Sequence, residues 1–245
     1  MEDVIGIGHD DTLTFHGRAH VKTADGFKIT VTKNGPYLVT GDIPVADQHI
    51  VTNADGESLE WREGQVHPHP GQFALCRCGE SAKKPFCDGT HKRIGFDGTE
   101  TASLVPFDEQ AEVLEGPTLA LQDAQPLCAF ARFCDPEGQV WNLVGQSDDP
   151  RARKLVEHEA GHCPAGRLVA VDRATGHTLE PKHAPSIGLV EDTAKHVSGP
   201  LWVRGGIPIH GAVGQAYEVR NRVTLCRCGR SANKPYCDGA HAAGT

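Results

Sequence analysis

The chain has 245 residues, with 24 Lys and Arg against 32 Asp and Glu, a net charge of −8. Its 38% hydrophobic content and 28 glycines are those of an ordinary globular protein rather than a disordered one. The acidic balance argues against duplex DNA or an anionic membrane as the main partner. No run approaches the roughly 18 apolar residues of a membrane helix, and the acidic opening Met1-Glu2-Asp3 predicts neither a secretory leader nor a transit peptide.

In chain order, residues 27–33 alternate as a strand, Asn34-Gly35 supplies a hairpin turn, and 37–40 return. Turn-rich stretches follow at Asn53-Ala54-Asp55-Gly56 and at His67-Pro68-His69-Pro70, where both histidines are expected in a solvated loop. Then comes Cys76-Arg77-Cys78, with Cys87 and His91 behind it, the last two spaced to share one face of a helical turn. Further on, 118–121 reads as a strand, 126–133 as a short helix and 140–144 as a strand. Asp149-Pro150 starts a helix through about residue 160 that Gly161 ends, and 168–171 returns as a strand. Strands are expected again at 201–204, 216–219 and 223–225, before Cys226-Arg227-Cys228, Cys237 and His241. Trp61, Trp141 and Trp202 are expected to pack in cores or on sheets.

The two Cys-X-Cys groups are copies of one pattern. Residues 75–79 and 225–229 both read LCRCG, and Ser81-Ala82, Lys84-Pro85 and Cys87-Asp88-Gly89 recur as Ser231-Ala232, Lys234-Pro235 and Cys237-Asp238-Gly239. Upstream, Gly35-Pro36 and Ile43-Pro44 match Gly199-Pro200 and Ile207-Pro208 at an offset larger by 14, so the first copy carries 14 extra residues, expected near the two turn-rich stretches. Internal duplication accounts for this. Short sheets of this size bury little alone, so the copies are expected to pack on each other.

Nine cysteines at this density suit a reducing, cytoplasmic compartment, and clustered Cys with nearby His suit metal binding. Three thiolates and one imidazole can hold tetrahedral zinc or an iron–sulfur cluster. Zinc sites usually place two to four residues between paired cysteines, whereas Cys-X-Cys aims two sulfurs from one extended segment at one centre.

These residues resemble the CDGSH iron–sulfur family of mitoNEET-type proteins, whose pattern Cys-X-Cys-X2-(Ser/Thr)-X3-Pro-X-Cys-Asp-Gly-(Ser/Ala/Thr)-His is met at every position by residues 76–91 and 226–241. The resemblance implies a [2Fe–2S] cluster on Cys76, Cys78, Cys87 and His91 and a second on Cys226, Cys228, Cys237 and His241. It also implies paired units with swapped strands, here an intramolecular pseudo-dimer supplied by one chain. A histidine ligand makes a cluster less negative and easier to reduce than four thiolates do. Because imidazole can take up a proton when it leaves iron, cluster integrity should depend on pH. Lys83 and Lys84 flank the first site while Asn233 replaces Lys83 in the second, so the two potentials are expected to differ.

Between the copies, Cys128, Cys134 and Cys163-Pro164 look like a bacterial ferredoxin run in which the second cysteine has become Ala131. The stretch is similar to divergent single-cluster ferredoxin domains. Three buried reduced thiols are the leading expectation and a third cluster the other, with His158 or His162 as a fourth ligand.

The expected architecture is α+β: residues 1–105 with the first motif, a ferredoxin-like unit at 106–184, and 185–245 with the second motif. The expected function is electron transfer or iron–sulfur cluster transfer to a redox partner or an apo-acceptor protein, by a monomer, with no enzymatic role, since no phosphate loop, nucleophile elbow or nucleotide fingerprint is present. A zinc-stapled interaction module and a redox or iron sensor are the alternatives.

Overall fold

A computed structural model describes residues 21–243; the leader reading at Met1-Glu2-Asp3 lies outside them. The first copy contributes β1 (Lys28–Val31), β2 (Tyr37–Thr40), β3 (Val45–Thr52), β4 (Ser58–Val66) and β5 (Gln72–Leu75), followed by the short helix α1 (Thr90–Arg93). Asn34 takes φ 49° at the turn between β1 and β2, a conformation asparagine tolerates better than most residues. After the four-residue helix α2 (Phe107–Gln110), the middle segment forms β6 (Glu112–Glu115), β7 (Leu119–Asp123), α3 (Val140–Val144), α4 (Pro150–His162) and β8 (Leu168–Asp172). The second copy supplies β9 (Ser186–Asp192), β10 (Val197–Arg204), β11 (Ile209–His210) and β12 (Arg222–Leu225).

The copies exchange strands. β1, β2 and β5 form one sheet whose outer strand is β11, from the second copy and parallel to β1, with Ile29 opposite Ile209. β9, β10 and β12 form another sheet, extended by β3 and β4 of the first copy, with Val45 opposite Ile187 in the parallel pairing of β3 with β9. β9 therefore stands where β1 stands, although no sequence match had marked it as a strand. The alternating inward residues Ile29, Val31, Tyr37 and Val39 meet Ile187, Leu189, Leu201 and Val203 in one core. Each aliphatic side chain so buried contributes about 1.5–3 kcal/mol.

The 14 extra residues lie at the tip of the β3–β4 hairpin. Ala46 pairs with Val66 in the first copy, and His210 bridges Ala216 at the equivalent point of the second. The predicted strand at 216–219 is reduced to that single bridge, because the short turn leaves no length for a ladder. His67 and His69 are not free in solvent: His67 Nε2 is 2.8 Å from Asp47 Oδ1, and His69 lies between the carbonyls of Ile43 and Pro70 and against the ring of Phe73.

In the middle segment, β6, β7 and β8 form an antiparallel sheet under α3 and α4. Asp149 caps α4 as expected, its Oδ1 accepting from the backbone N–H of Arg151 and Ala152. Residues 140–144 are helical rather than extended: Val140, Leu143 and Val144 are buried together, the i, i+3, i+4 pattern that a five-residue apolar run leaves ambiguous. The predicted helix at 126–133 reduces to a 3-10 turn over Gln125–Leu127, since Phe130 and Arg132 adopt φ 56° and 60°. Trp202 is buried and Trp61 and Trp141 are half-buried, with Trp61 stacked 4.7 Å from both Phe133 and Trp202. Among the described residues no helix is long and apolar enough to cross a membrane.

The insert is fastened to the second copy by Arg222, whose guanidinium donates to the carbonyls of Cys163, Ala160 and Leu168 at 2.8–3.1 Å and pairs with Glu180 at 2.6 Å. A buried arginine here satisfies carbonyls at the C-terminal end of α4.

Tyr37 ties the first copy to the second, its hydroxyl donating to the carbonyls of Cys226 at 2.7 Å and Pro235 at 3.1 Å. Replacing Tyr37 by Phe removes a buried hydrogen bond worth about 1–2 kcal/mol, and the thermal midpoint should fall by about 2–6 °C. An unchanged midpoint would contradict this role.

Candidate metal centres

Each Cys-X-Cys segment leaves the end of a strand and is clamped against the returning chain. Leu75 bridges Phe86, and the Cys76 N–H donates to Pro85 O at 2.8 Å. Leu225 likewise bridges Tyr236, and the Cys226 N–H donates to Pro235 O at 2.8 Å. The Lys84–Pro85 and Lys234–Pro235 bonds are both cis. The Ser81 and Ser231 hydroxyls donate to the carbonyls of Phe86 and Tyr236 at 2.6 and 2.7 Å. Asp88 accepts from the N–H groups of Ala82 and Thr90, which hold its carboxyl well below the usual carboxylate range; Asp238 accepts from Ala232 and Ala240. These repeated residues therefore shape the loop rather than line a substrate site.

The donor atoms come together in pairs. Cys76 Sγ lies 3.8 Å from Cys78 Sγ, and Cys87 Sγ 3.3 Å from His91 Nδ1; in the second site the same distances are 3.7 and 3.4 Å. Cys87 precedes α1 instead of sharing its face. Gly89, at φ 86°, makes the bend between them and aims its N–H at Cys87 Sγ, 3.4 Å away. Gly239 repeats this on Cys237. Among the described residues, no three of these sulfur and nitrogen donors lie within 4.8 Å of one another.

Burial pushes the Cys237 thiol up to about 12, and it holds the His241 imidazole below its ordinary range, hence neutral, the form that binds metal. In the second Cys-X-Cys pair the hydrogen bond between the sulfurs raises the Cys226 thiol and lowers that of Cys228.

The arginine inside each Cys-X-Cys unit has a role that its repetition alone did not disclose. With the cysteines facing one way along an extended backbone, the side chain between them faces the other. Arg77, almost fully buried, donates to the carbonyls of Thr32 and Gly98 and lies over the rings of Tyr37 and Phe96. Arg227 donates to the carbonyls of Val190 and Gly199 and pairs with Glu191. Each thus bolts a ligand pair to its own sheet.

The two loops also touch each other. A Cβ on Gly79 would meet Cys228 O at 2.7 Å, and one on Gly229 would meet Cys78 O at 2.6 Å. A cleft of about 450 Å3 opens beside this contact, lined by Lys84, Glu80, Ser198, Arg227 and Arg230.

The sites differ in cover. Cys87 and His91 are half-buried, and Lys83 and Lys84 are exposed. His241 and Cys237 are buried, because the middle segment lies over them: Gly239 is packed against Phe130 and Cys128, and Asn233 Nδ2 donates to Pro126 O at 3.0 Å. The Lys-to-Asn difference between the copies is thus a docking contact.

Cys128, Cys134 and Cys163, the three cysteines of the middle segment, line one small cavity together with Arg132 and Arg167. All three are free thiols. Burial, then the Asp135 charge, raises the Cys134 thiol. Arg167 is held by two bonds to Asp123 at 2.5 and 2.7 Å, and the left-handed turns at Phe130 and Arg132 bend the chain between Cys128 and Cys134 around the cavity. His158 and His162 are not on this cavity; they stand beside Glu60. The proposed fourth ligand is therefore not supplied by them.

No curated protein and no solved structure matches the chain. A family described as iron-binding zinc finger, CDGSH type, matches residues 34–92 and again 198–242, and one described as divergent 4Fe-4S mono-cluster matches residues 114–173. Ligand pairs, loop scaffold and flanking order agree with these matches: the chain carries two CDGSH-type regions flanking a divergent single-cluster ferredoxin region.

Proposed function

We propose that the chain is an electron carrier with two Cys3His [2Fe–2S] sites, at Cys76, Cys78, Cys87 and His91 and at Cys226, Cys228, Cys237 and His241, and a third cluster held by Cys128, Cys134 and Cys163. The pairing of the donor atoms carries this reading. One tetrahedral zinc with bonds of about 2.0–2.3 Å gathers four donors around a point, whereas a two-iron cluster takes two donors on each iron. Two pairs set apart suit the second case. When bound, the clusters supply one-electron chemistry.

The residues of this chain divide the remaining tasks. Cys237 and His241 would hold their cluster from a buried position under the middle segment, while His91 is only half-buried, so acid should reach the first site before the second. Arg132 and Arg167 line the middle cavity already paired with Asp192 and Asp123, and so serve to hold its wall in place. Contact of Gly239 with Phe130 and Cys128 supports exchange between the middle and second sites. The cleft beside Lys84 and Arg230 supports docking of a redox partner or apo-acceptor there, with the half-buried Cys87 and His91 more accessible than Cys237 and His241.

The strand exchange supports an intramolecular pseudo-dimer, and nine free cysteines support a reducing, cytoplasmic compartment.

Four outcomes are expected. Protein purified without oxygen should hold about four irons and four sulfides in the two outer sites, with about three or four more irons in the middle; about two zincs and no colour would overturn the proposal in favour of an interaction module. Cys128→Ala should remove only the middle irons and leave the outer four. His91→Cys and His241→Cys should each lower the potential of one cluster, by roughly 100 mV or more in the direction that separates all-cysteine from His-ligated centres. In the unaltered chain, colour should fade in two phases as the pH is lowered, His91→Cys abolishing the first.

A further inference from the structure

The lengthened hairpin of the first copy carries a feature that neither family match covers as a site. Glu60 on β4 faces His158 and His162, one turn apart on α4, and one donor atom from each lies within 4.8 Å of the others. His162 Nε2 is 3.0 Å from Glu60 Oε2, and His158 Nε2 is 3.9 Å from Glu60 Oε1. A tetrahedral ion with bonds of about 2.0–2.1 Å needs its donors about 3.4 Å apart, so the observed spacings bracket the requirement.

The surroundings are those of a metal site rather than a chance ion pair. His162 Nδ1 bonds to the carbonyl of His158 at 2.8 Å, which fixes the ring and leaves Nε2 for the ion, the usual arrangement behind a ligating histidine. The carbonyl of His162 accepts from Trp61 Nε1 at 3.1 Å, so the residue after Glu60 holds the helix end in place. The rings of His158 and His162 lie 3.9 Å apart, and on a shared ion they would open from this stacked arrangement. His158 Nε2 is also 3.0 Å from Leu59 O, a bond that coordination would replace.

Glu60 and Trp61 belong to the hairpin tip that the second copy lacks. The extra residues therefore reach the insert at this one place.

We propose that Glu60, His158 and His162 form a separate mononuclear site for a divalent transition-metal ion of the Zn2+ type, with solvent completing the coordination, latching the long hairpin of the first copy to the ferredoxin-like insert. Two imidazoles and one carboxylate are a donor set of that class. The site involves none of the cluster cysteines and stands whether or not the cluster assignment does.

The test is calorimetric titration of the cluster-loaded full chain with ZnCl2 at pH 7.5, after dialysis against a chelator weak enough to leave the visible spectrum unchanged. The unaltered chain should bind one Zn2+ that Glu60→Gln, His158→Gln and His162→Gln each weaken at least thirtyfold, with iron content and spectrum unaltered. Zn2+ at a hundredfold excess over its dissociation constant should raise the thermal midpoint by about 5–10 °C in the unaltered chain and by no more than about 3 °C in the variants. Absence of a saturable equivalent, or equal binding by all three variants, would overturn the site.

Discussion

Neither CDGSH copy can complete its sheet from its own residues. β1 finds its outer neighbour in β11, and β9 finds its own in β3, so the parallel pairs Ile29 with Ile209 and Val45 with Ile187 hold the molecule together. Everything at the metal centres follows from this exchange. It sets the inward rows of both copies against each other as one core and brings the two ligand loops so close that Gly79 and Gly229 each abut a backbone carbonyl of the opposite loop. It also lets Tyr37 of one copy support the Cys226 loop of the other.

On this near-symmetric frame the chain has built an asymmetric object. The insert enters between the copies, and its loop over Gly239 covers Cys237 and His241, whereas Cys87 and His91 stay half-buried. Asn233, which departs from the repeat, makes one contact of that cover, and Arg222, which has Gln72 as its counterpart, makes another by gathering the carbonyls at the end of α4. From the other side the long β3–β4 tip meets the same helix. Differences between two copies of one sequence thus mark where the third unit is held.

How much of this could be read in advance depended on the kind of signal. The repeated Cys and His spacing, the duplication and the 14-residue insertion were legible because identical spacing is a covalent property of the chain, and the Asp149-Pro150 start of α4 because a cap acts within one turn. The strand at 186–192 was missed because Ile187-Gly188-Leu189 shares no residue pattern with β1 beyond alternation; its identity is set by the partner strands on either side. Residues 140–144 were misread because five apolar residues fit either period, and packing under α4 decided the matter. The fate of Cys128, Cys134 and Cys163 could not be settled from their irregular spacing, since only the left-handed turns at Phe130 and Arg132 fold the intervening chain around a common cavity. Arg77 and Arg227 were visible as repeated letters, but their work on the rear of each loop needed the third dimension.

The same exchange of strands has a consequence for the order in which the molecule can be made. β1 and its eventual neighbour β11 are separated by 177 residues, a stretch that a ribosome moving at about 5–20 residues per second takes roughly 9–35 s to add. During that interval the first copy exposes two open sheet edges, along β1 and along β3, that attract other chains. The insert, whose β6–β8 sheet closes through nearby residues, can fold within the gap. A nascent chain would therefore be most vulnerable to association with its neighbours after its first metal loop is complete and before its last sixty residues emerge.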